Sequence, residues 1–255
     1  NYLNTIRGYK KYLPEADQEQ LNTYVSQALE RKAEVAFSEA RIDEKRFSDE
    51  YNRYYFNYLG YVIMAVFIIG VGMVMLSFQK VDIMRRHNAA PITVKSMNLQ
   101  LILGNLVFVM VYLVVFLIAG YLFNPFRRMD TNLVLYWINA FIFALTALSI
   151  SYLVGICVKS RNAVSAISTA VSLCFAFPSG IFVPQELLGA AVLKVASFTP
   201  TYWYVKANDT IENLTSYHWN NISGILGMMT IQIGFAAAII SVSLVISKRK
   251  RQRTC

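Results

Sequence analysis

The chain has 255 residues, 56% of them hydrophobic and only 15% charged, with a formal net charge of +9 and a mean hydropathy of +0.41. A soluble globular domain is about 45–50% apolar and about 25% charged, so this composition excludes an ordinary soluble domain. Three cysteines, Cys157 and Cys174 inside apolar runs and Cys255 at the last position, exclude a disulfide framework and a cysteine-based metal site.

Residues 1–57 are polar and carry nine Lys/Arg and ten Asp/Glu. Leu21, Val25, Ala28, Lys32 and Val35 recur at helical spacing, and Pro14 followed by Glu15 and Asp17 makes a helix start. The segment reads as a solvated helical stalk or, alternatively, as a docking surface for a substrate or partner. It has no apolar core of the kind that marks a secretory signal. Tyr51, Tyr54, Tyr55, Tyr58 and Tyr61 close it with an aromatic belt suited to the headgroup zone.

Five apolar runs follow: 58–78, 99–123, 134–158, 163–182 and 222–247. None contains Asp, Glu, Lys, Arg or His. At about 1.5 Å per residue each is long enough to cross a hydrocarbon core of about 30 Å. Each must be helical, because lipid offers no partner to a free backbone amide. The predicted fold is therefore all-α, a polytopic membrane protein with five transmembrane helices and a helical segment before them.

Orientation follows from the basic residues of the short connections. Lys80, Arg85, Arg86, Lys95, Lys159, Arg161 and five more between Lys248 and Arg253 lie on one side; Arg127, Arg128, Lys194 and Lys206 lie on the other. The richer side is predicted to be cytoplasmic. This places residues 1–57 and 183–221 outside, and the basic tail 248–255 inside, where it serves as an anchor to anionic lipid. A start outside without a signal implies a further span upstream of this sequence.

The connection 79–98 is longer than topology requires, and Pro91 divides it. In the outer segment, Pro184 is placed to start a helix. Residues 185–197 are apolar but too short to span, which predicts a re-entrant or interfacial helix. Pro200, Tyr202, Trp203 and Tyr204 form a second aromatic cluster. Asn208, Asn213 and Asn221 each begin an Asn-x-Ser/Thr triplet, a glycosylation signal only in a eukaryote.

Small and hydroxylated residues recur at helical spacing in three runs. Ala140, Ala144, Ala147, Ser151 and Gly155 make one stripe. Ser165, Thr169, Ser172, Ala176 and Ser179 make the next, and Ser223, Gly227, Thr230, Gly234, Ala237 and Ser241 the last. Such stripes permit close helix packing. The alternative is that part of them, above all Ser165, Thr169, Ser172 and Ser179, faces a translocation path. Without charge, that path would suit an amphipathic or lipid-like cargo.

The sequence has no P-loop, no His-Glu-x-x-His and no Gly-x-Ser-x-Gly. His87 and His218 are predicted on opposite sides of the membrane, so no metal or catalytic site is assigned. Spans without Asp, Glu, Lys, Arg or His disfavour an ion-driven carrier and an intramembrane enzyme. A membrane scaffold or sensor with residues 1–57 as receptor is the competing reading.

Three motifs carry a family resemblance. Arg85-Arg86-His87-Asn88-Ala89-Ala90-Pro91-Ile92 resembles a cytoplasmic coupling loop. Phe177-Pro178-Ser179-Gly180-Ile181-Phe182-Val183-Pro184 resembles the end of a fifth span, and Phe198-Thr199-Pro200-Thr201-Tyr202-Trp203-Tyr204 the outer segment after it. In this order they resemble the ABC-2-type transporter permeases, in particular the Gram-positive drug, peptide and lipid exporter branch. The resemblance implies that the five spans are the second to sixth of six, preceded by a larger outer domain. It implies a bacterial cell membrane location and export. It also implies a second permease copy, identical or not, and a separate ATPase subunit holding ATP and Mg; none of these partners is a nucleic acid. Arg85, Arg86 and His87 would contact that ATPase, with Pro91 fixing the loop angle, and Pro184, Pro200 and Trp203 would shape the outer re-entrant segment.

Overall fold

The computed structural model describes residues 22, 44–78, 80, 83, 94–126 and 129–252. The apolar seam from Leu21 to Val35 and the loop residues Arg85, Arg86, His87 and Pro91 lie outside the described residues. Every element below belongs to the compact unit that begins at Glu44.

Among the described residues of this unit, the main elements are seven α-helices and one 3₁₀ turn. They are α1 (Glu44–Phe78), α2 (Val94–Phe123), α3 (Thr131–Cys157), α4 (Arg161–Ser179), the turn Gln185–Leu187, α5 (Ala190–Ala196), α6 (Pro200–Glu212) and α7 (Trp219–Gln252). No strand occurs among the described residues. Five helices, α1 to α4 and α7, are long and apolar enough to cross a membrane. The protein is thus an all-α, membrane-integral polytopic chain.

Two helices start where a side chain satisfies a terminal backbone N–H. Asp130 caps α3 by accepting from the Leu133 N–H at 3.0 Å, and Ser160 caps α4 by accepting from Ala163 N–H at 3.2 Å. Thr199 precedes α6, whose first residue is Pro200, the position where the missing N–H of proline costs nothing. At the end of α4, Gly180 adopts φ 99°, which suits only glycine. A Cβ there would also lie 2.5 Å from Gln185 Cγ, so the chain reverses tightly onto the 3₁₀ turn.

α1 has 35 residues and runs unbroken from Glu44, so the apolar run that begins at Tyr58 is the inner part of a longer helix. At about 1.5 Å per residue it is about 52 Å long, well beyond the hydrocarbon thickness. Its first fourteen residues carry Glu44, Lys45, Arg46, Asp49, Glu50 and Arg53, which belong outside hydrocarbon.

The core lies between α1 and α3. Phe56 stacks on Tyr136 with centroids 5.1 Å apart, and Phe143 stacks on Tyr204 of α6 at 4.3 Å. Gly72 and Gly155 let α1, α3 and the start of α4 approach closely. A Cβ on Gly72 would meet Val164 Cγ1 at 2.8 Å, and one on Gly155 would meet Met75 Cγ at 3.0 Å. Lipid tails are as apolar as these side chains, so close packing rather than water exclusion holds such helices together. α2 packs only lightly on the rest and exposes Leu103, Val107, Val111, Val114, Val115 and Ile118, a face suited to lipid.

Candidate functional site

Two features stand out against this apolar frame: a buried chain of polar side chains, and an exposed helix face that carries no large apolar side chain before Phe177.

The polar chain begins in the first turns of α1. Arg53 Nε lies 2.7 Å from Glu212 Oε2, and its Nη1 lies 3.7 Å from Asp209 Oδ1, so α1 is charge-paired to the end of α6. The Arg53 guanidinium also covers the Tyr54 ring at 4.2 Å. Burial pushes the Asp209 carboxyl above the usual carboxylate range; its contacts with Asn57 and Arg53 pull it back, while nearby Glu212 and Glu186 push the same way as burial.

From Asp209 the chain continues through amides alone. Asn57 Nδ2 donates to Asp209 Oδ1 at 3.2 Å, and Asn208 Nδ2 donates to Asn57 Oδ1 at 2.8 Å. Asn139 Nδ2 donates to Asn208 Oδ1 at 2.8 Å and to the Tyr204 carbonyl at 3.0 Å. Gln232 Nε2 of α7 donates to Asn139 Oδ1 at 2.9 Å. Tyr136 Oη donates to the Asn208 carbonyl at 3.2 Å, and Tyr204 Oη to the Phe56 carbonyl. All four amide residues are buried. The ladder ties α1, α6, α3 and α7 into one register.

A second set closes the same end of the bundle. Asn124 Nδ2 donates to Ser48 Oγ at 3.0 Å and to Asn52 Oδ1 at 3.1 Å. Asn132 Nδ2 reaches Asp49 Oδ1 and the Leu214 carbonyl, each at 3.4 Å, while Tyr217 Oη donates to Asn132 Oδ1 at 3.0 Å. Buried amides bonded to one another fix geometry but neither accept nor release protons at ordinary pH. Together these bonds make a clasp. Among the described residues no cluster of His, Cys, Asp and Glu can hold a metal.

The exposed face belongs to α4, the least apolar of the five long helices. Ser165, Ala166, Thr169 and Ala170 point away from the bundle, as does Cys174. Thr169 Oγ1 bonds back to the Ser165 carbonyl at 3.2 Å. The other side of α4 is anchored: Ser168 Oγ donates to the Ala65 carbonyl of α1 at 2.8 Å. Ser172 and Ser179 are buried. Ser172 bonds the Ser168 carbonyl, and Ser179 bonds the Phe175 carbonyl and faces Thr199 Oγ1 at 3.5 Å. The stripe from Ser165 to Ser179 therefore splits, with its first half exposed and its second half in helix contacts.

The last stripe behaves differently again. Ser223, Gly227, Thr230, Gly234, Ala237 and Ser241 are all exposed. The hydroxyls of Thr230 and Ser241 bond their own helix, to the Leu226 and Ala237 carbonyls at 2.8 Å each. The face of α7 that packs in the chain carries Ile225, Met229, Gln232, Ala236 and Ser243 instead.

In the outer segment, Pro184 precedes the 3₁₀ turn and Pro200 opens α6. Gln185 Nε2 donates to the Ser179 carbonyl at 2.7 Å and to the Tyr202 carbonyl at 3.3 Å. Trp203 Nε1 donates to the Ser197 carbonyl at 2.9 Å, and Lys206 Nζ sits 5.5 Å from its ring centroid. The Asn208 triplet is no modification site, because its side chain is wholly buried in the ladder. Sequence reasoning missed the ladder because it scanned the apolar runs for ionisable groups; Asn139 and Gln232, two amides inside such runs, were the available signal.

Residues 1–242 match a family described as ABC-2 family transporter protein. No curated protein and no solved structure matches the chain.

Proposed function

The chain belongs to the ABC-2 transporter family and is a permease component of an ABC-type transporter; from this premise we propose that it forms the wall of an export path for an amphipathic or lipid-like cargo. The observation that carries this reading is the first half of the exposed face of α4, before Phe177. A lipid-facing surface favours large apolar side chains, as α2 presents, whereas Ser165, Ala166, Thr169 and Ala170 offer small, weakly polar ones. That surface suits neither a charged solute nor bulk lipid. It suits a partner helix or a passing molecule with both characters.

In this reading the end that holds α5 and α6 faces outside a bacterial cell, and the chain works beside a second permease copy. A separate ATPase subunit carries ATP and Mg and docks through the connection that contains Arg85, Arg86, His87 and Pro91. The clasp keeps α1, α3, α6 and α7 as one body, so that movement reaching the end of α1 is passed to the outer segment rather than dissipated between helices.

The test has two arms. The tagged protein is extracted from native membranes in mild detergent and assayed for a bound ATPase, which Arg85→Glu with Arg86→Glu should release. Single cysteines at Ser165 and Thr169, in a background lacking the native cysteines, are then exposed to a membrane-impermeant thiol reagent. Labelling that changes between the ATP-bound and nucleotide-free states supports a path at α4. Absence of any ATPase partner would favour a scaffold or sensor, and nucleotide-independent protection at both positions would remove α4 from the path.

A further inference from the structure

Between the end of α1 and the start of α2 lies a cleft of about 470 Å³, lined by Gly70, Val74 and Phe78 on one side and Gln100, Gly104 and Asn105 on the other. We propose that it is a binding site for a glycerolipid of the bilayer, whose ester carbonyl accepts a hydrogen bond from the Asn105 amide.

Asn105 is the observation that points to a ligand. It is 4% exposed, it sits inside an apolar helix, and among the described residues its Nδ2 has no hydrogen-bond partner. A buried amide without a partner is costly, and more so where lipid rather than water surrounds the helix. Asn52 Nδ2 and Gln232 Oε1 also lack a partner, but each of those side chains is bonded through its other end, to Asn124 and Asn139, whereas the Asn105 side chain makes no hydrogen bond among the described residues. Rotation of the carboxamide can present either donor or acceptor to the cleft.

The shape of the cleft follows from two glycines. A Cβ on Gly104 would meet nothing within 4 Å, so the missing side chain is open space. A Cβ on Gly70 would meet the Phe108 ring at 3.0 Å, so glycine there lets Phe108 close the deep end of the cleft. The walls are otherwise apolar apart from Gln100, which is exposed at the shallow end.

Polarity along the cleft matches one class of molecule. Gln100 and Asn105 are about 7.5 Å apart along the helix axis. A polar group at the mouth, a hydrogen-bond acceptor several ångströms deeper and an apolar tail beyond it describe a glycerolipid, with headgroup, ester carbonyl and acyl chain in that order. A soluble metabolite would have no use for Val74, Leu101 and Phe108, and a plain hydrocarbon would leave Asn105 unpaired. The site stands independently of what the protein transports.

The experiment compares diacyl phosphatidylglycerol with its dialkyl ether analogue, which lacks the carbonyls. Each is titrated into delipidated full-length protein, and bound lipid is counted by native mass spectrometry. The wild type is expected to prefer the ester lipid by about two- to tenfold, the worth of one hydrogen bond. Asn105→Leu should bind both equally. Gly104→Leu, which fills open space without a clash, should abolish the high-affinity lipid of either kind. Equal binding of the two lipids by the wild type, or an ester preference that survives Asn105→Leu, would overturn the proposal; so would undiminished binding in Gly104→Leu.

Discussion

The small-residue stripes of α3 and α7 share a spacing and share little else. Ala140, Ala144, Ala147, Ser151 and Gly155 are buried against the rest of the chain. Ser223, Gly227, Thr230, Gly234, Ala237 and Ser241 face away from it, and a Cβ on Gly227 or Gly234 would meet nothing within 4 Å. The two helices even touch each other, through Asn139 with Gln232 and through Thr146 Oγ1 with the Gln232 carbonyl at 3.1 Å, but by the side of α7 opposite its stripe. A stripe of this kind says that something can come close to the helix. Whether the neighbour is the same chain, another copy or a cargo is decided by which face carries the stronger bonds.

The largest expected effect is on the joint between the two helices. Asn139→Leu removes the acceptor of Gln232 and the donor of Asn208, leaving two buried amides short of a partner, each worth about 1–3 kcal/mol. Thermal unfolding in detergent should fall sharply, and α7 should become the first helix open to proteolysis. A variant as stable as the wild type would mean that the ladder does not hold α7 in place.

Next in size is a leucine in each stripe. Gly155→Leu must push past Met75 and Gly72 and should cost about 1–3 kcal/mol by overpacking. Gly234→Leu should change the stability of the isolated chain by no more than about 0.5 kcal/mol. Its effect belongs in transport or in copy-to-copy association, measured by flux into vesicles and by cross-linking of single cysteines. Equal destabilisation by the two leucines would erase the distinction between the stripes.

A smaller effect concerns pH. The folded state holds the Asp209 proton more tightly than the unfolded chain does, so this group favours folding most fully below pH 3.8. That contribution is lost as pH rises through the raised folded value. Melting curves of the wild type against Asp209→Asn should therefore converge at low pH and separate as pH rises, with the wild type losing more. Parallel curves would show that Asp209 titrates alike in both states.

The fold was legible because its signal was redundant: five long runs without a single Asp, Glu, Lys, Arg or His admit one kind of structure. Helix ends were harder to read. The polar start of α1 continues the helix to Glu44, where Asn52 meets Asn124 just after α2 and Arg53 and Asn57 find partners on α6, which no local pattern reveals. The stripe of α4 was visible as a stripe, yet its division at Thr169 depends on where α1 and α6 press against it. The clasp went unread because amides carry no charge and its members are drawn from four helices far apart in sequence. Ser168, which bonds α1, and Ser165, which does not face it, are three residues apart, so about 60° of helical phase separates their roles.

The length of α1 has a mechanical consequence. A stiff rod of about 52 Å that is gripped at one end by α6 and flanked near the other by α3 and α4 is a lever. Because the clasp ties α1 to α3, α6 and α7, a small tilt near Phe78 would carry the whole body and become a larger sweep at Glu44. The Arg53 pairings then decide the load, because they oblige α6 to travel with the long arm.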